Sequence, residues 1–261
     1  MLSDDRNHSR CRVGQTARAP DDPFPKALVP LPFGETPLDI LLATLRTSGI
    51  SEIFVVRSDP RIAPSGCTII EADGRGNMVR SLMCALGPIE QSVGDVLVCY
   101  ADLLLEQRLI HTAVSVSPGA DIAVLADSCW EPYYRWRFMG GIGDAESFSV
   151  DPESGLIQSI GQPLLAGCPP SAQYIGVLRL SRRGLRLIAD QYRQDNDPNI
   201  FMTTVLQHLI DGGESVAPVY VKNGWLELDT RSDYDTAVSV LAGTMASSVF
   251  DPTQVVGYPG G

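Results

Sequence analysis

DVLVCYADLLLEQRLIHTAVSVSPGADIAVLAD, residues 95–127, is the stretch on which the fold turns. The run from Val96 to Tyr100 is continuously apolar, as a strand covered on both faces requires, and it gives way at Ala101 and Asp102. LEQRLIHTAV then reads as a helix and DIAVLAD, 121–127, as the next buried strand. Strands separated by helices of this length favour a parallel sheet with right-handed crossovers, whose ligands sit at the carboxyl ends of the strands. Asp102 falls at such an end.

The alternation continues in both directions. Upstream, PLDILLATLRTSGI (37–50) places Leu38, Leu41, Leu42 and Leu45 at helical spacing, stops at Gly49 and leads into the strand EIFVVRS. CTIIEAD follows as a strand and NMVRSLMCAL as a helix. Downstream come strand YIGVLRLS, helices RRGLRLIADQYR and IFMTTVLQHLIDGG, strands VAPVYVKNG and WLELD, and a last helix, SDYDTAVSVLAG, that opens on a serine cap. Between Ser128 and Pro170 the pattern loosens into aromatic, Gly- and Pro-rich sequence, read as loops or a small excursion that covers the sheet as a lid. The expected fold is α/β: a Rossmann-like, mostly parallel sheet flanked by helices, with that aromatic-rich excursion. Residues 1–13 read as a polar N-terminal segment, 14–245 as one domain and 246–261 as a tail.

Composition narrows the function. With 261 residues, 44% of them hydrophobic, the chain can bury a large core and does not have the make-up of a disordered protein. A net charge of −11 argues against nucleic acid as a partner, because non-specific phosphate-backbone binding needs a broad basic surface. The six cysteines (Cys11, Cys67, Cys84, Cys99, Cys129, Cys168) show no CxxC spacing and read as reduced thiols in a cytoplasmic protein. The first 22 residues are polar and no apolar run approaches the ~20 residues of a membrane span, so no membrane association is expected.

Four constellations can carry chemistry. Asp102, following the apolar strand, reads as a Mg²⁺ ligand or as the cap of the next helix. In GWLELDTRSDYDTA, Glu227 and Asp229 alternate with Leu226 and Leu228, so both acids share one face of a strand, either around a cation or on a solvated edge. GQTAR followed by DDPFPKALVPL offers Gly14, Arg18 and Lys26 to a triphosphate, although such loops are often only loops. DSCWEPYYRWRF gathers Trp130, Tyr133, Tyr134 and Trp136 with Arg135 and Arg137: a cage for an ammonium group, an anion site, or packing beneath a long loop. His8, His111 and His208 are isolated and receive no role.

Taken in order, PKALVPL, SGI before EIFVV, SLMCA, YADLLLE, YIGVLRLS and WLELDTRSDYDTA resemble the nucleotidyltransferases of the sugar-nucleotide pyrophosphorylase type, from about Gly14 to Ala242. The pairing of YADLLLE with DIAVLADSCW, and of YIGVLRLS with WLELDT, looks most like the phosphocholine and phosphonate cytidylyltransferases. The resemblance implies a nucleotide-diphospho-sugar transferase fold and an enzyme that moves CMP from CTP to a small anionic acceptor, releasing pyrophosphate with Mg²⁺ as cofactor. It places Gly14, Gln15, Thr16 and Arg18 around the triphosphate, Lys26 against the phosphates, Asn77 and Ser81 at the base, and Asp102, Glu227 and Asp229 at the metal. Asp127, Trp130, Tyr133, Arg135 and Tyr174 line the acceptor side, with Arg135 and Arg137 favouring a phosphonate. A homodimer is compatible with this reading.

Four residues depart from the family pattern. HSRCRVG puts Arg10 and Arg12 where an apolar central strand is expected, so that strand is either deformed or displaced; Thr16 replaces a glycine, and Gln162 a lysine. Two other readings stay open beside the first: a sugar-1-phosphate transferase using UTP or dTTP, and a nucleotide-binding protein of the same fold without activity.

Overall fold

Apolar runs too short to make helices become strands, and the amphipathic segments between them become helices that cover both faces of the resulting sheet. The structure is a computed structural model that describes residues 10–13 (backbone), 25–72, 77–92, 94–115, 119–143, 145–164 and 168–258. The strands are β1 (Arg10–Val13), β2 (Ile53–Arg57), β3 (Thr68–Glu71), β4 (Val96–Cys99), β5 (Leu103–Leu105), β6 (Ile122–Asp127), β7 (Glu146–Val150), β8 (Ile157–Pro163), β9 (Gln173–Leu180), β10 (Val216–Val221) and β11 (Trp225–Glu227). The helices are α1 (Pro37–Thr47), α2 (Met78–Cys84), α3 (Leu86–Glu90), α4 (Gln107–Ser115), α5 (Trp130–Arg137), α6 (Arg182–Asp195), α7 (Met202–Asp211) and α8 (Arg231–Leu241).

Seven strands form the main sheet in the order β10-β6-β9-β4-β1-β2-β3, parallel except for β9, which runs antiparallel to both β4 and β6. The mixed, mostly parallel sheet expected from the alternation is therefore present. β9 is reversed because the chain reaches it from the β7–β8 ribbon rather than through a crossover helix. Successive residues of each strand feed opposite cores. Leu97 and Cys99 of β4 pack with α1, α4 and α8, while Val96 and Val98 pack with α2, α6 and α7.

Four outcomes differ from the sequence reading. Within HSRCRVG, Arg10–Val13 forms a regular interior strand: Cys11 pairs with Ile53 and Leu97, and Val13 with Val55 and Cys99. The domain thus begins before residue 14. The expected tail also belongs to it, because Val249, Phe250 and Val255 are buried and the Gly224 amide donates to the Val249 carbonyl at 2.8 Å. The excursion after Ser128 is ordered as α5 and the β7–β8 ribbon. Finally, α8 is capped by Thr230, not Ser232: the Thr230 hydroxyl accepts from the Asp233 amide and Asp233 accepts from the Thr230 amide, a reciprocal pair. Among the described residues no helix is long and apolar enough to cross a membrane.

Replacement of Phe250, 2% exposed, by alanine tests whether this segment is core. The expected loss is about 3 kcal/mol in urea unfolding, as for a large core side chain; a loss below about 0.5 kcal/mol is the result expected of a loose tail.

Candidate active site

The short ribbon of β5 and β11 makes the site. Trp225 pairs with Leu105, Leu226 with Leu104 and Glu227 with Leu103, and the Leu228 amide extends the ladder by donating to the Asp102 carbonyl at 2.8 Å. This antiparallel match sets the Asp102 backbone beside the Glu227–Asp229 strand end. Leu226 and Leu228 are buried, whereas Glu227 is half-buried and Asp229 exposed. The alternation read from WLELD is the one observed, because side chains on a strand point to opposite faces.

Charge in this corner is only partly balanced. Burial pushes the Asp102 carboxyl up to about 6, with Asp229 adding to the rise and Lys26 opposing it. Glu227 is pushed up to about 7, again chiefly by burial, with Arg137 opposing and the carboxylates of Asp102 and Asp229 adding. Lys26, buried at the start of a short turn (Lys26–Leu28), pairs with Asp229; Arg137 pairs with Glu227. Three carboxylates therefore share one space with two cations.

Among the described residues no three His, Cys, Asp or Glu side chains converge closely enough to hold a metal by themselves. Mg²⁺ does not ask for that, since it is usually held by one or two carboxylates together with substrate phosphates and water. Asp102 and Glu227 fit such a site: both are hard oxygen donors, and both have carboxyl groups that a divalent cation would help to ionise.

The other candidate residues are distributed as follows. Gly14, Gln15, Thr16 and Arg18 lie outside the described residues. Asn77 caps α2 by accepting from the Val79 amide at 3.1 Å, and its side-chain amide donates to the carbonyls of Asn199 and Ile200, so it joins α2 to the α6–α7 connection. Ser81 is buried one turn further along α2. Asp127 is fully buried and accepts from the Cys129 amide at 2.8 Å, the Asn223 amide at 2.9 Å and the Trp225 indole at 2.9 Å. Its contacts fasten the β10–β11 turn and aim Trp225. Trp130 is buried against Tyr134 and donates to the Pro170 carbonyl, as packing beneath a loop would have it. Arg135 lies on the surface, paired with Glu131 and with the Gly140 carbonyl.

Tyr174 does line a cleft. The cleft encloses about 240 Å³ and is walled by Tyr100, Tyr134, Tyr174 and Trp225, with Glu146 and Glu227 among its polar groups. The Tyr174 hydroxyl donates to that of Tyr100 at 3.2 Å, their rings edge to face. Gly176 sits beneath Tyr100 with φ +78°; a Cβ there would lie 2.6 Å from the ring, so this close approach needs glycine.

Arg137, Asp233 and Tyr100 were not among the sequence candidates for their observed roles. Arg137 had been read as an anion ligand, but its guanidinium is buried between Glu227 and Asp233. No local pattern marks it, because both partners come from the far end of the chain.

Residues 14–195 match the sequence model of the MobA-like NTP transferase domain. That span contains Asp102 but stops before β11. Over 175 residues the chain is 27% identical to a CTP:phosphoglutamine cytidylyltransferase of Campylobacter jejuni subsp. jejuni serotype O:2, covering 62% of this chain and 67% of that protein.

Two predictions follow from the buried acids. Removing the three-donor acceptor in Asp127→Ala leaves buried N–H groups unpaired and is expected to cost about 3 kcal/mol in chemical unfolding. For Asp102 the sign is opposite. A carboxyl whose folded pKa is raised contributes stability below its unfolded pKa and loses it as pH rises through about 6. Asp102→Asn should therefore be more stable than the natural protein at pH 8, by on the order of 2 kcal/mol, and should match it near pH 4. Melting curves across this range, without divalent ions, measure the crossover.

Proposed function

Because this chain belongs to the MobA-like NTP transferase family, and is on that ground a nucleotidyltransferase, we propose that it transfers CMP from CTP to a small phosphate- or phosphonate-bearing acceptor, with Mg²⁺ and release of pyrophosphate. The observation that carries the reading is the β5–β11 ribbon, which brings Asp102 near Glu227 and Asp229, with Glu227 on the wall of the aromatic cleft. The cytidylyltransferase relative supports CTP as the donor.

An acceptor oxygen that is already anionic attacks the α-phosphorus of CTP, and the bond from that phosphorus to the bridging oxygen of pyrophosphate breaks. No general base is required. The protein's part is to position the reactants and neutralise charge. Members of the family generally use a divalent ion; when bound, Mg²⁺ supplies positive charge at the triphosphate, and Asp102 and Glu227 would hold it. Lys26, paired with Asp229 in the free protein, would turn its ammonium group to the phosphates. Arg18 and the Gly14–Thr16 loop would complete the phosphate side, with Asn77 and Ser81 near the base.

The structure moves the weight within the acceptor class. Free guanidiniums at Arg135 and Arg137 would favour a phosphonate, but Arg135 pairs with Glu131, and Arg137 with Glu227 and Asp233. The cleft instead presents aromatic faces with Glu146 and Glu227, surroundings that suit an acceptor carrying an amino or ammonium group.

Pyrophosphate release tests the reading, with CTP, UTP and dTTP each offered against phosphoglutamine, phosphocholine, amino-phosphonates and sugar 1-phosphates. Turnover with CTP and an amine-bearing acceptor is expected, and Asp102→Ala should lower kcat/KM by about 10³-fold without loss of fold. Turnover confined to UTP or dTTP with a sugar phosphate would replace this reading with the sugar-nucleotide one.

A further inference from the structure

The aromatic helix α5 grips the acidic strand end at three points. Arg137 sends a two-pronged contact to Asp233, Nε to Oδ1 at 2.8 Å and the second terminal nitrogen to Oδ2 at 2.9 Å, and its remaining terminal nitrogen donates to Oε2 of Glu227. One turn earlier on the same face, the Tyr133 hydroxyl accepts the Glu227 amide at 2.8 Å. Asp233 passes the constraint on, accepting from the amides of Asp229 and Thr230 at 3.2 and 2.8 Å and from the Thr230 hydroxyl at 2.9 Å. The Arg137 and Asp233 side chains are 5% and 7% exposed, so the paired groups are largely shielded from solvent.

We propose that Tyr133 and Arg137 are positioning residues that hold Glu227 and the turn to Asp229 in the geometry for binding a metal–nucleotide complex. This rests on the Mg²⁺-dependent reading given above. The physical case begins with flexibility. Glu227 ends a three-residue strand, and a lone carboxylate there has several rotamers and repels Asp102 and Asp229. Arg137 fixes one oxygen by a charge-assisted bond and leaves the residue facing the cleft. Because the guanidinium divides its charge between two carboxylates, the cluster of Arg137, Glu227 and Asp233 keeps a net negative charge, which a cation arriving with the triphosphate can use. A carboxylate aligned by buried partners binds a metal more tightly than a free one, and loss of such partners costs about 10–100-fold in metal affinity. The seven-residue span from Glu227 to Asp233 is thereby tied to α5 as one body, with the α8 capping box as its far end.

A positioning role and a charge-screening role make opposite predictions. If Arg137 merely competed with the metal for Glu227, removing it would tighten metal binding. The test follows binding of Mn²⁺·CTP to the full chain by water-proton relaxation, with CTP binding in EDTA measured beside it and melting curves to confirm folding. The variants are Tyr133→Phe, Arg137→Lys, Arg137→Met and, as the control ligand loss, Asp102→Asn. Tyr133→Phe keeps the ring, and Arg137→Lys keeps the charge while losing the fork, so both retain packing that Arg137→Met forgoes.

The expected result is about a 10-fold weakening of Mn²⁺·CTP binding in Tyr133→Phe and Arg137→Lys, with metal-free CTP affinity changed less than about 3-fold. Folded Tyr133→Phe and Arg137→Lys variants that bind Mn²⁺·CTP like the natural protein would overturn the proposal, as would tighter binding in Arg137→Met. A natural protein that takes up no Mn²⁺·CTP, or an Asp102→Asn variant that binds it unchanged, would instead remove the metal reading beneath it. The Asp102 control separates the two failures.

Discussion

The pairing of Leu103–Leu105 with Trp225–Glu227 is the constraint on which the rest of this structure depends. Three apolar residues at the end of one strand and three near the far end of the chain form a ribbon whose leucines and tryptophan are buried. Their burial provides a drive that no attraction between the acids could supply, because like charges brought together repel. Hydrophobic pairing thus forces Asp102, Glu227 and Asp229 into proximity, and the fold then has to live with the consequence.

It does so with two cations and a helix. Lys26 covers Asp229, Arg137 covers Glu227, and Asp102 is left with its carboxyl raised by burial. A site of this kind is held against its own electrostatics and is most at ease with a further positive charge present. In the proposed cation-dependent centre, that would be stability given up locally for affinity toward a charged ligand. The remaining wall is built with less tension: Asp127 secures Trp225, and Gly176 leaves room for the Tyr100 ring.

Much of the frame was legible because it is periodic. The runs VLVCY and IAVLAD read as buried strands, and α1 is written in its leucine spacing and its stop at Gly49. The order of elements and the acids at strand ends carried the family resemblance, with which the MobA-like match agrees. Where the reading failed, local pattern was outweighed by a distant partner. Leu105, read as the first residue of a helix, instead ends β5 with Leu103 and Leu104, since Trp225–Glu227 offers them a ladder. HSRCRVG looked too polar for a central strand, yet β2 and β4 supply hydrogen bonds on both sides. For the aromatic segment the sequence left an ammonium cage, an anion site and packing open; Trp130 packs beneath a loop, and Tyr133 and Arg137 contact Glu227.

By itself the sequence determined the α/β class, the succession of strands and helices, and the residues able to act as metal or phosphate ligands, because these follow from period and residue chemistry within a short window. Tertiary structure alone decided which of those residues meet. It set Arg137 and Tyr133 against the acidic turn, buried Asp127 beneath donors from Asn223 and Trp225 and left Tyr174 in the cleft. Such choices depend on contacts between segments a hundred residues apart, and no short-range pattern encodes the register that makes them.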